Sequence, residues 1–266
     1  MISSDIIPLL IKVKGNKVSK SAPKRFYQKI GLAIKERILS GEFSVGDRLP
    51  PERDFAQEMQ VSRSVVREAI IMLELQEVVE VRQGSGVYVI NLPGHSAGSI
   101  NTPESEAETE ADIGPFELLQ ARQVLESQIA SFAAQNVTKN DVLRMREAIE
   151  LQRRQLTDGS DDDDGDKQFH LAVAEATQNS VLTDMVIELW DRRERSPMWQ
   201  QLHQRIPDLS YRKAWIKDHE NVLLAIQRRN AEDARTAMLQ HFENVKQVLL
   251  ELSDTDDQHF DGFLFS

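Results

Sequence analysis

The chain has 266 residues, 40% of them hydrophobic and 28% charged, with a net charge of −11 and no cysteine. That length suits about two domains at ~100–200 residues each, and the balance of apolar and charged residues is globular rather than disordered. Without cysteine there is no disulfide and no thiolate metal site, which fits a reducing cytoplasm, and no run of about 18 apolar residues offers a membrane span. The charge is unevenly spread. Residues 1–90 hold 14 Lys+Arg against 11 Asp+Glu, and the remainder holds 18 against 32. A mildly basic module joined to an acidic one is expected where only the first half meets a polyanion.

Residues 1–22 are rich in Lys and Ser, lack periodicity and are expected to be a disordered extension; residues 23–91 form the first module. From Phe26 to about Ser40 the sequence predicts a helix with Ile30, Ala33, Ile34 and Ile38 inward, stopped by Gly41 and Gly46. Pro50 or Pro51 then opens a short second helix, since a first-turn N–H has no intrahelical partner. Val66, Ala69, Ile70 and Leu73 recur at i, i+3, i+4 and i+7, the apolar stripe of a third helix from Arg63, with the Ser62 hydroxyl as its expected N-cap. The two helices and the turn between them read as a helix-turn-helix.

Arg63, Ser64 and Arg67 fall near the N-terminal end of that third helix, off its stripe. Two guanidiniums one turn apart suit a major groove, because arginine forks onto phosphate oxygens or guanine edges. Arg53 on the preceding helix could reach the backbone. After Leu75 the period changes to 2: Val79–Arg82, a turn at Gln83-Gly84-Ser85-Gly86, then Val87–Ile90, a β-hairpin. Helix, helix-turn-helix and hairpin in that order describe a winged helix, with Gln83 and Gly84 at the wing tip. Two solvated arginines and a structural ribbon are the plainer reading of each part alone; the combination is far more specific.

Residues 92–112 carry scattered Pro and Gly and an acidic run, and read as a linker. From 113 to 252 the pattern is helical without a convincing strand, an all-α bundle; residues 253–266 are an acidic tail. Helices are expected at about Pro115–Gln135, Thr138–Gln155, Asp164–Thr177, Ser180–Arg195, Ser210–Arg229 and Asn230–Leu252. Thr138 with Asp141 at N3 makes a capping pattern. Asp166 and His170 stand at i, i+4 on one helix, and His219 and His241 lie on the last two. Three imidazoles and a carboxylate form a ligand set for zinc, nickel or manganese. From spacing alone, four helical polar residues in an acidic protein are more often surface or satisfied core groups. The Asp161–Asp164 run reads as a solvated helix start, and Trp190, Trp199 and Trp215 as core or pocket wall. Arg122 could clamp a carboxylate, although a structural ion pair is the more frequent use of such a residue.

Leu49-Pro-Pro-Glu-Arg53, Val61-Ser-Arg-Ser-Val-Val-Arg-Glu-Ala69 and Val81-Arg-Gln-Gly-Ser-Gly86 resemble the GntR family of winged-helix regulators. The second half resembles the FadR-type effector domain, called FCD, through Asp166-Lys-Gln-Phe-His170, Thr177-Gln-Asn179, His219 and His241. Within the family, Gly114–Arg122, Arg67–Glu74 and Ala176–Ser180 look like the hexuronate-utilisation repressors. The resemblance implies DNA contacts from Arg53, Ser62, Arg63, Ser64, Arg67, Gln83 and Gly84, a metal held by Asp166, His170, His219 and His241, and an effector held by Arg122 and Asn179. It further implies a cytoplasmic homodimer on a palindromic operator, released by galacturonate, glucuronate or a derived keto acid. The metal set also admits a metal-dependent hydrolase or lyase, although no further general base stands out, and the same fold could answer to another carboxylate.

Overall fold

The computed structural model describes residues 25–94, 113–160, 164–206 and 211–254. The expected N-terminal extension, nearly all of the linker and most of the tail lie outside the described residues, as do Asp161–Asp163.

Helix α1 (Phe26–Leu39) buries Ile30, Ile34 and Ile38 against α3 (Arg63–Leu75), whose Val66, Ala69, Ile70 and Leu73 are at most 1% exposed. The end of the Met72 side chain occupies the place where a Cβ on Gly31 would stand, so the two helices touch closely there. Between them, α2 (Glu52–Glu58) follows Pro51, the residue just ahead of its first turn. Ser62 is the N-cap residue of α3, but its hydroxyl makes no cap; it bonds the Ser64 hydroxyl at 2.9 Å instead.

Strands β1 (Val79–Arg82) and β2 (Gly86–Val89) pair antiparallel, Val79 opposite Val89 and Arg82 opposite Gly86. Residues 46–49 run along the other edge of β2, with Gly46 N to Val89 O and Leu49 N to Val87 O at 2.8 Å each, which widens the wing. Gly86 has a φ of +103°, which favours glycine, and a Cβ there would also push the Arg48 guanidinium aside.

The second half is built from α4 (Pro115–Asn136), α5 (Lys139–Asp158), α6 (Asp164–Glu175), α7 (Ser180–Arg195), α8 (Pro197–Gln204), α9 (Arg212–Gln227) and α10 (Ala231–Leu252). Helix α4 is central and packs on α6, α7, α9 and, most extensively, α10. Buried Ala130, Ala133 and Ala134 let its neighbours approach. Val124 and Phe132 lie on its outer side, 64% and 40% exposed. The caps follow the sequence closely: Thr138 and Asp141 make a reciprocal capping box, Gly159 closes α5 in the left-handed region, and Asn230 caps α10. Helix α8 was not expected; Ser196 caps it and Pro197 opens it. Among the described residues no helix is long and apolar enough to cross a membrane.

The two halves meet through polar contacts, some buried and some at the surface. Glu68 of α3, 3% exposed, accepts the backbone N–H groups of Phe116 and Glu117 at 2.8 Å each, satisfying orphan donors of the first turn of α4. Arg205 pairs with Glu74 at 2.5 Å, and Arg25 with Glu117 at 2.9 Å.

Candidate metal centre and DNA-reading surface

Asp166 and His170 rise from successive turns of α6, His219 from α9 and His241 from α10. One ligand atom from each lies within 4.8 Å of every other. The histidines are at most 2% exposed, and the Asp166 side chain is 15% exposed. Each imidazole is oriented from behind. His170 Nδ1 bonds Glu126, His219 Nδ1 donates to Gln152 Oε1 at 3.0 Å, and His241 Nδ1 faces Asp218 Oδ2 at 3.6 Å. An amide oxygen or a carboxylate accepts only, so Glu126 and Gln152 place the N–H of His170 and His219 on Nδ1 and turn their Nε2 lone pairs into the cluster.

The inward nitrogens test whether the set fits a cation. His170 Nε2 is buried without a hydrogen-bond partner among the described residues, and His219 Nε2 stands 3.2 Å from His241 Nε2. Either a proton on one of the two nitrogens or a cation between them holds the pair at that distance. Burial, then the neighbouring His241, His170 and Arg122, holds His219 well below the ordinary histidine range, and burial first holds His241 down. Both are therefore neutral near pH 7, the form that ligates. The donor set fits a divalent metal ion.

Arg122 adjoins this centre. It is 3% exposed, its Nε donates to Glu126 Oε1 at 2.7 Å, and its guanidinium lies 4.2 Å from the Trp190 ring and 5.1 Å from Phe242. Its Nη2 is buried without a hydrogen-bond partner among the described residues. Burial pushes Glu126 up, but Arg122 and His170 outweigh it and hold the carboxyl at about 2. On the Asp166 side, a cavity of about 20 Å³ is lined by Gln152, Asp166, Arg212 and Trp215, room for about one water.

The sequence-expected DNA residues divide. Arg53 is 81% exposed at its side chain. Arg63 is half-exposed and pairs with Asp254. Arg67, expected on an open face, is fully buried. Its Nε and Nη2 are taken by Glu52, and its Nη1 donates to Leu250 O at 2.9 Å and to Ser253. Gln83 at the wing donates to Arg205 O at 3.1 Å, while Gly84, at φ +67°, has open space around it. Asn179, expected to hold an effector, is the N-cap residue of α7. It is exposed, and its side-chain oxygen caps α7 through Val181 N and Leu182 N.

Sequence reasoning missed Glu126, Gln152 and Asp218. Glu126 carried a signal, an acid four residues after Arg122 on the same helix; the other two reach the cluster from positions with no local pattern.

Comparison with known proteins places both halves. Residues 26–89 match the family described as "Bacterial regulatory proteins, gntR family" and residues 117–244 the "FCD domain". The "Uxu operon transcriptional regulator" of Escherichia coli K12 is 48% identical over 93% of this chain and 95% of its own length. The chain belongs to the GntR family. The "Uxu operon regulator" of Haemophilus influenzae is 50% identical over 91% of this chain and 88% of its own, and the "Exu regulon transcriptional regulator" of Escherichia coli K12 45% identical over 92% of each.

As a GntR-family protein with an FCD domain, the chain is a DNA-binding transcriptional regulator governed by a small molecule, not an enzyme. The hydrolase or lyase reading of the metal set falls on that ground. The His/Asp cluster is one that could hold a metal ion.

Proposed function

We propose that the protein is a homodimeric, cytoplasmic repressor of sugar-acid catabolism genes that leaves a palindromic operator when galacturonate, glucuronate or a derived keto acid binds its helical domain. The observation that carries this is the joining of the two sites through α4. Its first turn is capped by Glu68 of the helix expected to read DNA, and seven residues inward it presents Arg122 beside the histidine cluster. The relatives named for Uxu and Exu genes support the sugar-acid class.

The chemistry agrees with that class. Asp166, His170, His219 and His241 would hold a divalent cation, zinc first, whose charge draws the carboxylate and hydroxyl oxygens of a hexuronate. Arg122 offers its Nη2 to the same carboxylate. The cavity beside Asp166 takes about one water, so admitting a sugar acid displaces α5 or α9, which wall it. Coupling of ~1–3 kcal/mol between the two sites is enough to empty an operator held near its dissociation constant. In the dimer, each subunit sets α3 in the major groove, half-site centres about one helical turn (~34–36 Å) apart.

The test is a mobility shift on DNA upstream of uronate-catabolism genes, with galacturonate, glucuronate and their keto forms added singly. Retardation that one sugar acid abolishes is the expected result. Retardation that none alters overturns the effector assignment, and no retardation overturns the function.

A further inference from the structure

Three of the residues expected to read DNA are held by the protein's own helical domain. Arg63 pairs with Asp254, Arg67 donates Nη1 to Leu250 O and Ser253, and Gln83 donates to Arg205 O. The first two partners belong to one short stretch at the C-terminal end of α10, the helix that also carries His241. The Asp254 carboxylate lies 3.9 Å from Arg67 Nη2 as well, so it addresses both arginines.

This stretch offers a carboxylate, a backbone carbonyl and a hydroxyl to two guanidiniums one turn apart. Those are the oxygen acceptors, with net negative charge, that a DNA backbone offers to the same groups. Arg67 makes the competition explicit. Glu52 takes one side of its fork, so the Nη1 edge is what remains for an outside acceptor, and that edge is occupied by α10. Arg67 is 0% exposed, and DNA cannot touch it while α10 stays where it is. The Arg205–Glu74 pair closes the same seam from the wing side. Arg53, pointing to solvent, is left outside the contact.

We infer that the segment Leu250–Asp254 is an autoinhibitory clasp that competes with DNA for Arg63 and Arg67, so that operator binding requires α10 to let go of the winged helix. This rests on the repressor reading and adds its switch. Affinity for the operator is reduced by the fraction of molecules that are open, and anything that moves α10 at His241 changes that fraction.

The experiment compares the full-length protein with Asp254→Asn and Glu251→Gln in a mobility-shift titration of the DNA that the wild type retards. Both substitutions remove one negative charge at the end of α10; Glu251 is exposed and bonds Gln247 within its own helix. The clasp predicts an operator Kd lower by about three- to tenfold for Asp254→Asn and less than twofold lower for Glu251→Gln. Equal effects, or weaker binding by Asp254→Asn, overturn it. Hydrogen exchange on the wild type gives a second readout: faster exchange in the last turn of α10 on adding operator is expected, and unchanged or slower exchange overturns the clasp. Retardation of DNA by the wild type separately tests the repressor reading, and absence of retardation by every form overturns both.

Discussion

Arg122 and His170 are bound to opposite oxygens of one carboxylate: Glu126 Oε1 takes Arg122 Nε at 2.7 Å and Oε2 takes His170 Nδ1. The candidate metal ligand and the candidate effector clamp are therefore set by the same side chain, which neither can move without disturbing the other.

Replacing Glu126 by Gln keeps its shape and removes its charge. Metal affinity should fall about 10–100-fold, the usual cost of losing a group that orients a ligating histidine, read by competition with a chelator. Stability should fall by about 3 kcal/mol or more, because Arg122 becomes a buried cation without its carboxylate. Unchanged metal affinity would show that Glu126 merely neutralises Arg122.

Removing metal should lower the thermal midpoint. Zinc at about 100 times its Kd adds roughly 2.7 kcal/mol to a protein that binds it only when folded. Unfolding scans with and without chelator measure this, and His219→Ala should make the two scans coincide.

Glu68 gives stability a pH dependence near neutrality. Burial raises its carboxyl to about 7, with the Phe116 and Glu117 N–H groups and Arg25 opposing and the Glu117 charge adding. A folded-state value above the unfolded one means that stability is fully present below about 4.5 and lost as pH rises through 7, by up to about 3 kcal/mol. Glu126, held low, loses its contribution only as pH falls below the ordinary range. Between pH 5 and 8 the denaturant midpoint of the wild type should decline relative to that of Glu68→Gln, because His219 and His241, which titrate with the opposite sign, are common to both.

Arg53→Ala should weaken binding evenly across DNA sequences and reduce the salt slope by about 0.9, the signature of one phosphate contact. Arg63→Ala should instead relax discrimination between operator and non-operator DNA. Mobility shifts at several salt concentrations separate the two.

What the sequence shows clearly is what repeats or caps locally. The stripe of α3, the hairpin, the Thr138–Asp141 box and the Asp166–His170 pair were all legible from spacing, and so was the winged helix joined to an all-α domain. The burial of Arg67 was not legible because its surroundings come from Glu52, 15 residues away, and Ser253, 186 residues away, neither of which leaves a periodic trace. Ser62 was misjudged for the opposite reason: a residue suited to capping had a nearer hydroxyl to bond. Asn179 shows a motif residue with a sufficient structural use, since a helix N-terminus needs an acceptor wherever it stands.

Helix α10 is a single 22-residue rod with the candidate metal-ligand His241 near its middle and the arginine contacts at its tip. From His241 to Ser253 it rises about 18 Å, so a tilt of roughly 5° about the histidine swings the tip by about 1.5 Å. Leu250, nine residues from His241, would move by about 1.2 Å, and the 2.9 Å Arg67–Leu250 bond would not survive a stretch of that size. The rod thus works as a lever, turning a displacement too small to disturb the core into one large enough to break a polar contact.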